Sequence, residues 1–294
     1  MSLIKKEILM KNIGIVGRGF VGNAVARGFS KEFNYDANIR VYDLDPSKST
    51  HTLNETVNKS DFIFLSVPTP ALSSGEINLS ILDKALESIY SINKKNNIIL
   101  LRSTVVPGTT KEFQKKFKNM NIVFNPEFLT EKNAVLDFAN QERAILGGKK
   151  SDVDKVATLY KHRFGKTLKI LKTNFQTAEM IKYMNNLFLA TKISFLNEMK
   201  LLSDSSNIDW DLAIKGFILD ERVGQSHNNV PGHDGKPGFS GSCFPKDIQA
   251  LIKFAEDKCI DMPVLKGAWE TNLKVRPEKD WEKLKGRAVT DKDE

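Results

Sequence analysis

Cysteine is almost missing from this chain. Only Cys243 and Cys259 occur among 294 residues, neither in a CxxC pair nor in a Cys/His spacing suited to zinc, which excludes a disulfide scaffold and a zinc-built module and fits a reducing compartment. No apolar run approaches the roughly 20 residues that span a bilayer, so no membrane partner is expected. The opening MSLIKKEILM is broken by Lys5, Lys6 and Glu7, whereas a secretory signal needs an unbroken apolar stretch and a small-residue cleavage site. A cytoplasmic location is therefore expected, with Met10 as a candidate natural start. Internal repeats and low-complexity tracts are also lacking. Charge of one sign is in modest excess, 44 basic against 36 acidic residues for a net +8. The two signs are interleaved, however, as in the tail from Lys274 to Glu294, which is the mark of solvated helix faces. With no nucleic-acid-binding signature in view, nucleic acid is not an expected partner.

What is present suits a soluble globular protein: 40% hydrophobic and 27% charged residues in 294 positions, a length typical of about two domains. The branched run Asn12 to Val16 leads into Gly17-Arg18-Gly19-Phe20-Val21-Gly22 and then a helical pattern through Ala24, Val25 and Phe29. Further strands are expected at 39–42, 62–67, 98–101 and 122–124, with amphipathic stretches such as 79–92 between them. Two more, at 144–146 and 168–171, flank a helix near 153–163. Strands alternating with helices predict a parallel sheet covered on both faces. After about Asn174 strands give way to helix, from Thr177 to about Ser205, from Asp209, and near Pro245 and Pro263. The stretch from Arg222 to Gly241 is rich in Gly, Pro, Asn and His and reads as a long loop.

The glycine run has a physical reading. Gly17 permits a tight turn, Gly19 lets backbone approach a pyrophosphate, Gly22 allows close packing, and the following helix start offers N–H donors to phosphate. Asp43, ending the second strand, would accept hydrogen bonds from an adenosine ribose and repel a 2′-phosphate, so NAD is expected rather than NADP. Three more loops follow strand ends on the same sheet edge, where open α/β sheets hold ligands: Ser66 to Pro70, Ser103 to Thr110, and Asn125 to Glu131. Thr104, Glu127 and Glu131 are their best candidates. Ser66 and Thr110 are equally well explained as turn residues and caps.

On the long helix Lys182 and Asn186, four apart, share one face and can converge on a single oxygen as an oxyanion-type pair. Lys172, Glu179 and Lys192 read as ordinary exposed residues. Cys243 sits in a glycine turn before a helix that starts at Pro245, where the helix N-terminus and a lysine favour a thiolate. Cys259 reads as core packing, as do the tryptophans and the methionines of the long helix. His227, His233 and Asp234 lack the further ligands of a metal set, so no metal is expected.

Taken together, GRGFVG (17–22), SVPTP (66–70), STVVPGTT (103–110), NPEFLTE (125–131), AEMIKYMNNLFLATKISFLNE (178–198), DERVG (220–224) and GFSGSCFPKD (238–247) resemble the UDP-glucose/GDP-mannose dehydrogenase family. They occur in family order along nearly the whole chain. Ser240 replaces a usual glycine, and Lys132 stands where glycine is frequent. The resemblance implies an α/β Rossmann-type doubly wound parallel sheet that binds NAD (10–174), followed by an all-helical central and dimerisation domain with the cysteine loop (175–294). It implies NAD-dependent four-electron oxidation of a nucleotide-sugar alcohol, UDP-glucose to UDP-glucuronate in type, in the nucleotide-sugar metabolism that serves polysaccharide biosynthesis. Cys243 would form a thiohemiacetal and then a thioester. Lys182 and Asn186 would hold the oxyanion, and Asp247 and Glu127 with Thr104 would position water and move protons.

Phe20 and Val21 belong to the cofactor loop, and Thr69, Thr104 and Glu131 would lie near the cofactor. Phe128, Leu129 and Gly238 would line the sugar site with Glu127, Lys182 and Asn186. Arg222 would reach the substrate of a neighbouring subunit in a homodimer. Family members continue into a third, nucleotide-covering domain, which a chain ending at Glu294 is expected to lack, with weak sugar-nucleotide binding as the consequence. A two-electron β-hydroxyacid dehydrogenase is the nearest rival, and it has no use for a nucleophilic Cys243. A non-catalytic nucleotide-binding remnant is the other.

Overall fold

Short branched strands and amphipathic helices alternate from the first described residue. The computed structural model describes residues 12–290; the candidate start at Met10 lies outside them. The strands are β1 (Asn12–Val16), β2 (Asn38–Tyr42), β3 (Phe62–Leu65), β4 (Ile98–Leu101), β5 (Asn121–Phe124), β6 (Arg143–Gly148) and β7 (Lys169–Thr173). Between them run α1 (Phe20–Gly28), α2 (Leu53–Asn58), α3 (Ser80–Ile92), α4 (Thr109–Lys116), α5 (Ala134–Ala139) and α6 (Lys150–Phe164). The sheet order is β2-β1-β3-β4-β5-β6-β7. The sequences FIFL and IILL of β3 and β4 are buried at every position, because helices cover both faces and neither side of the strand meets water. One apolar cluster gathers Phe29, Phe64, Phe138 and Tyr160. A second gathers Ile63, Leu86, Leu101 and Phe113.

Two details depart from the sequence reading. The sheet is mostly but not wholly parallel: β6 meets β5 antiparallel through only Val123↔Gly148 and Phe124↔Gly147, then pairs with β7 in parallel along five residues. The segment from Asn125 to Glu142 carries only the short α5, which returns the chain beside β5 without the crossover a parallel neighbour needs. Second, β3 stops at Leu65 instead of reaching Val67. The Ser103 hydroxyl accepts from the Val67 amide (3.2 Å) and donates to its carbonyl (2.6 Å), so a side chain takes the groups a strand neighbour would have used.

The chain forms two compact units, one of residues up to Thr69 with Leu79–Lys182, the other of Pro70–Asn78 with residues from Tyr183 on. The division falls within one continuous 31-residue helix, α7 (Phe175–Ser205). The second unit adds α8 (Trp210–Phe217), α9 (Phe244–Glu256) and α10 (Pro263–Val275). Asp209 caps α8 through the Leu212 amide (3.0 Å). Trp281 is buried against Trp269, with ring centroids 5.3 Å apart.

Two packing expectations are corrected. Cys259 is exposed rather than in the core. Helix α9 ends at Glu256, and Cys259 takes the left-handed stop position (φ 57°) while the Ile260 amide closes back on Ala255 O, a geometry usually given to glycine. Met180 and Met184 are 36% and 63% exposed, so these methionines of α7 are not packed within the chain.

Candidate functional site

In the first unit the glycine loop has the shape its spacing implies. Gly17 adopts φ +88°, and a Cβ there would stand 2.4 Å from Ser66 O. At Gly22 a Cβ would stand 1.9 Å from Gly17 O, so only glycine lets the first turn of α1 rest on the loop. Around Gly19 no heavy atom comes within 4 Å of the Cβ position, which is the open backbone approach a pyrophosphate needs. No side chain caps α1 and its first turn holds no acid, so its positive end suits an anion. Asp43 follows β2, its carboxylate accepting from the amides of Arg18 (2.6 Å) and Asp45 (2.9 Å). Two backbone bonds thus fix the side chain that would receive a ribose.

The loops after β3, β4 and β5 are tied by their own side chains. Thr69 is buried and its hydroxyl donates to Thr104 O (2.8 Å). Glu127, also buried, accepts from Lys182 Nζ at 2.9 Å and from the Leu129 amide at 2.7 Å. The Lys182 ammonium donates to Glu127 O as well (2.6 Å) and lies 5.5 Å from the centre of the Phe128 ring. Burial pushes the Glu127 carboxyl up, but Lys182, the Leu129 amide and the charge of Arg102 outweigh it and hold the group below the usual range. A carboxylate so held is a counter-ion and not a ready proton acceptor near neutral pH. Phe128 also carries the Arg143 guanidinium 4.3 Å from its ring centre. Glu131 lies on an exposed turn.

One turn after Lys182, α7 presents Asn186, which belongs to the second unit. Its amide donates to Asp247 Oδ2 (2.7 Å), and Lys246 pairs with Asp247 Oδ1. Asn186, Lys246 and Asp247 are all buried. Cys243 is the N-cap of α9, with Pro245 and Asp247 in the first turn and its thiol half-buried. Gly238 donates its amide to Asn197 Oδ1 (3.1 Å). Arg222 is 89% exposed and paired with Asp220. Asp234 is bound to Arg276 rather than to a histidine. Among the described residues no cluster of three or more His, Cys, Asp or Glu side chains is arranged to hold a metal ion.

Several residues passed over in the sequence prove to be structural keys. Glu179 is wholly buried, not exposed, and accepts from the amides of Gly108 (2.6 Å) and Thr110 (2.8 Å) at the start of α4. It caps that helix from 69 to 71 residues away. Lys192 likewise is no plain surface lysine: its ammonium donates to the carbonyls of Val223, Gly224 and Ser226. Arg102, buried at the end of β4, donates to Asn125 Oδ1 (2.6 Å) and stands 5.6 Å from the Phe138 ring centre. The signals were faint: an arginine closing an all-apolar strand, a Glu-x-x-Lys step on one helix face, a lysine beside Asp247. Lys172 is exposed, as expected, and pairs with Asp154.

Similarity to known proteins agrees with this geometry. The model of the UDP-glucose/GDP-mannose dehydrogenase family NAD-binding domain matches residues 47–164, and that of the family's central domain matches 176–274. A UDP-glucose 6-dehydrogenase of Rickettsia bellii is 37% identical over 235 residues, which cover 78% of this chain and 53% of the relative. The chain thus spans about half the length of such curated relatives. Among solved structures, a UDP-glucose dehydrogenase of Pyrobaculum islandicum superposes with a TM-score of 0.78 at 25% identity, over 90% of this chain and 68% of that one. A 3-hydroxyisobutyrate dehydrogenase of Mycobacterium tuberculosis shares the fold alone, with a TM-score of 0.69 at 16% identity over 92% of this chain and 95% of that one.

Proposed function

The chain belongs to the UDP-glucose/GDP-mannose dehydrogenase family, and from that premise we propose that it oxidises the C6 alcohol of a nucleotide sugar, most fittingly a UDP-sugar, to the carboxylate with NAD and a Cys243 thioester. The observation that carries the proposal is the half-buried thiol at the N-cap of α9 with a buried carboxylate, Asp247, in the same first turn. A two-electron alcohol oxidation has no use for that thiol.

The open cradle at Gly19 and the pinned Asp43 fit a dinucleotide. Gly17, Gly19, Phe20, Val21 and Gly22 would hold its pyrophosphate, Asp43 a ribose, and Thr69, Thr104 and Glu131 the far end. NAD bound there supplies the two-electron acceptor for each of two oxidations. Lys182 and Asn186 donate to the C6 oxygen as it gains negative charge, an interaction strongest in the transition state. The Cys243 thiolate adds to the aldehyde carbon, forming a C–S bond, and the second oxidation turns the tetrahedral adduct into a thioester. Water then attacks the thioester carbon. The C–S bond breaks, and carboxylate, thiolate and two protons are released.

Asp247 orients that water, while Glu127, kept ionised, anchors the Lys182 ammonium. Phe128 and Leu129 line the sugar. Incubating the protein with NAD and a panel of UDP-, GDP- and ADP-sugars tests the proposal. Two NADH per acid formed is the expected stoichiometry, and one NADH with an aldehyde as the final product would overturn the thioester route.

Asp43 sets a cofactor preference. Its carboxylate repels a 2′-phosphate, so titration calorimetry should find NAD bound at least about tenfold tighter than NADP. Equal affinities would remove Asp43 from that role.

A homodimer completes the proposal. Met184, Phe188, Phe195 and Leu202 are exposed along one stripe of α7, and Leu212 and Leu219 are exposed in and after α8. An exposed apolar stripe of this kind is the mark of an interface. Covering it with a second copy would bring Arg222 to the partner's substrate. Sedimentation should report a dimer for the parent chain and a folded monomer for Phe188→Glu/Phe195→Glu. A monomeric parent would remove the second copy from the mechanism.

A further inference from the structure

The cysteine loop is tied to a buried arginine, Arg276, and its partly exposed carboxylate partners Asp234 and Asp280. From Asp234 to Gly241 the chain has no regular structure, yet a set of bonds fixes it. Asn272 on α10 brackets Phe239, accepting from its amide (2.7 Å) and donating to its carbonyl (3.1 Å). Arg276, just after α10, is 2% exposed; its guanidinium donates to Pro237 O (3.1 Å), to Asp234 and to both oxygens of Asp280 (3.0 and 2.7 Å). The Ser240 hydroxyl in turn donates to Asp280 Oδ1. Lys236 adds a further cation, 2.8 Å from Glu278 and 3.7 Å from Asp280. The Arg276 hydrogen bonds hold the Asp280 carboxyl well below the usual range against burial, with Ser240 and Lys236 assisting. Asp280 therefore stays an acceptor throughout the neutral range.

We propose that Arg276 and Asp280 act as positioning residues for Cys243, with the Ser240 hydroxyl as the link that carries their constraint to the thiol. This rests on the reading of Cys243 as nucleophile. Ser240 precedes the cysteine by three residues, and the next residue, Gly241, sits at φ +81°, a backbone with no side chain to restrain it. Only Gly241 and Ser242 separate Ser240 from Cys243, so a constraint on Ser240 acts close to the thiol. A buried arginine shared between two carboxylates is a poor choice for stability alone, since apolar residues of the same volume often serve as well or better. What the pair supplies is direction: planar bidentate geometry fixes Asp280, and Asp280 fixes one hydroxyl.

The test reads the thiol itself. Alkylation of Cys243 by iodoacetamide is followed on its own peptide by mass spectrometry, so that Cys259 does not contribute, from about pH 5 to 10. The parent, Ser240→Ala, Ser240→Thr and Asp280→Asn are compared. A sulfur held at a helix N-terminus titrates lower than one free to leave it. Ser240→Ala and Asp280→Asn should raise the midpoint by roughly half a pH unit and slow alkylation about threefold near pH 7, and Ser240→Thr, which keeps the hydroxyl, should restore the parent profile. Ser240→Ala removes a single partly buried hydroxyl and keeps the experiment sound if Asp280→Asn loosens the unit. An unchanged midpoint in Ser240→Ala, or a threonine variant that behaves like alanine, overturns the link. Neither outcome depends on turnover, so a failure of the nucleophile reading would be seen separately, as carboxylate formed by Cys243→Ala.

Discussion

Cys243→Ala is expected to end carboxylate formation, with kcat for the acid falling by at least about a thousandfold, because no neighbouring group replaces the sulfur as nucleophile. Affinity for NAD should stay within about twofold of the parent, since the glycine loop and Asp43 belong to the first unit and the thiol to the second. The informative measurement is product identity. A variant that stops at the aldehyde after one NADH retains the first oxidation and has lost only the covalent half. If Cys243→Ala made the acid at the parent rate, the thioester would be abandoned.

Lys182→Met should damage both rate and stability. Its ammonium and the Glu127 carboxylate are 4% and 6% exposed, and removing one partner of such a pair costs about 3–5 kcal/mol, because the other is left charged and unsolvated. Glu127→Gln with Lys182→Met should recover much of that loss, so a double-mutant cycle in urea should show strong coupling. The pair also sets an acid limit. Glu127 titrates lower in the fold than in the unfolded chain, so its contribution is complete above about pH 4.3, the unfolded value, and is lost as pH falls through the lower folded value. Glu127→Gln should flatten that part of the stability profile. On the rate, losing the donor proposed for the C6 oxygen should lower kcat by about 10²–10³. Additive single-mutant losses would refute the coupling, and an unchanged kcat would remove Lys182 from the chemistry.

The parts of the fold legible in sequence are those fixed by local spacing. The glycine run, Asp43 and the four-residue apolar strands each state their geometry within a short window, and Lys182 and Asn186 share a helix face at any tertiary arrangement. The reversed strand was not legible, because the direction of β6 depends on how the stretch from Asn125 to Glu142 returns, and Pro126 and Asn133 punctuate it in either case. Cys259 was misread because the apolar pattern around it contains no glycine to signal the stop, and a cysteine took the left-handed place. Glu179 was invisible for a different reason: its partners are backbone amides far along the chain, and amides leave no mark in a sequence. Lys246 falls between these cases, since its contact is with the next residue but its burial comes from the whole unit.

Burial of the Glu127, Lys182 and Arg102 charges has a consequence in ionic strength. At physiological salt the Debye length is about 8 Å, and screening acts through ions that can approach the charges. Pairs such as Lys116 with Asp83 and Glu87, about half-exposed on the surface, weaken as salt is added. A carboxylate and ammonium enclosed by protein are screened much less, so their attraction changes little as salt is added. Salt dependence of the proposed reaction is therefore expected to come mainly from the arrival of phosphate-bearing ligands and from the surface, and little from this pair.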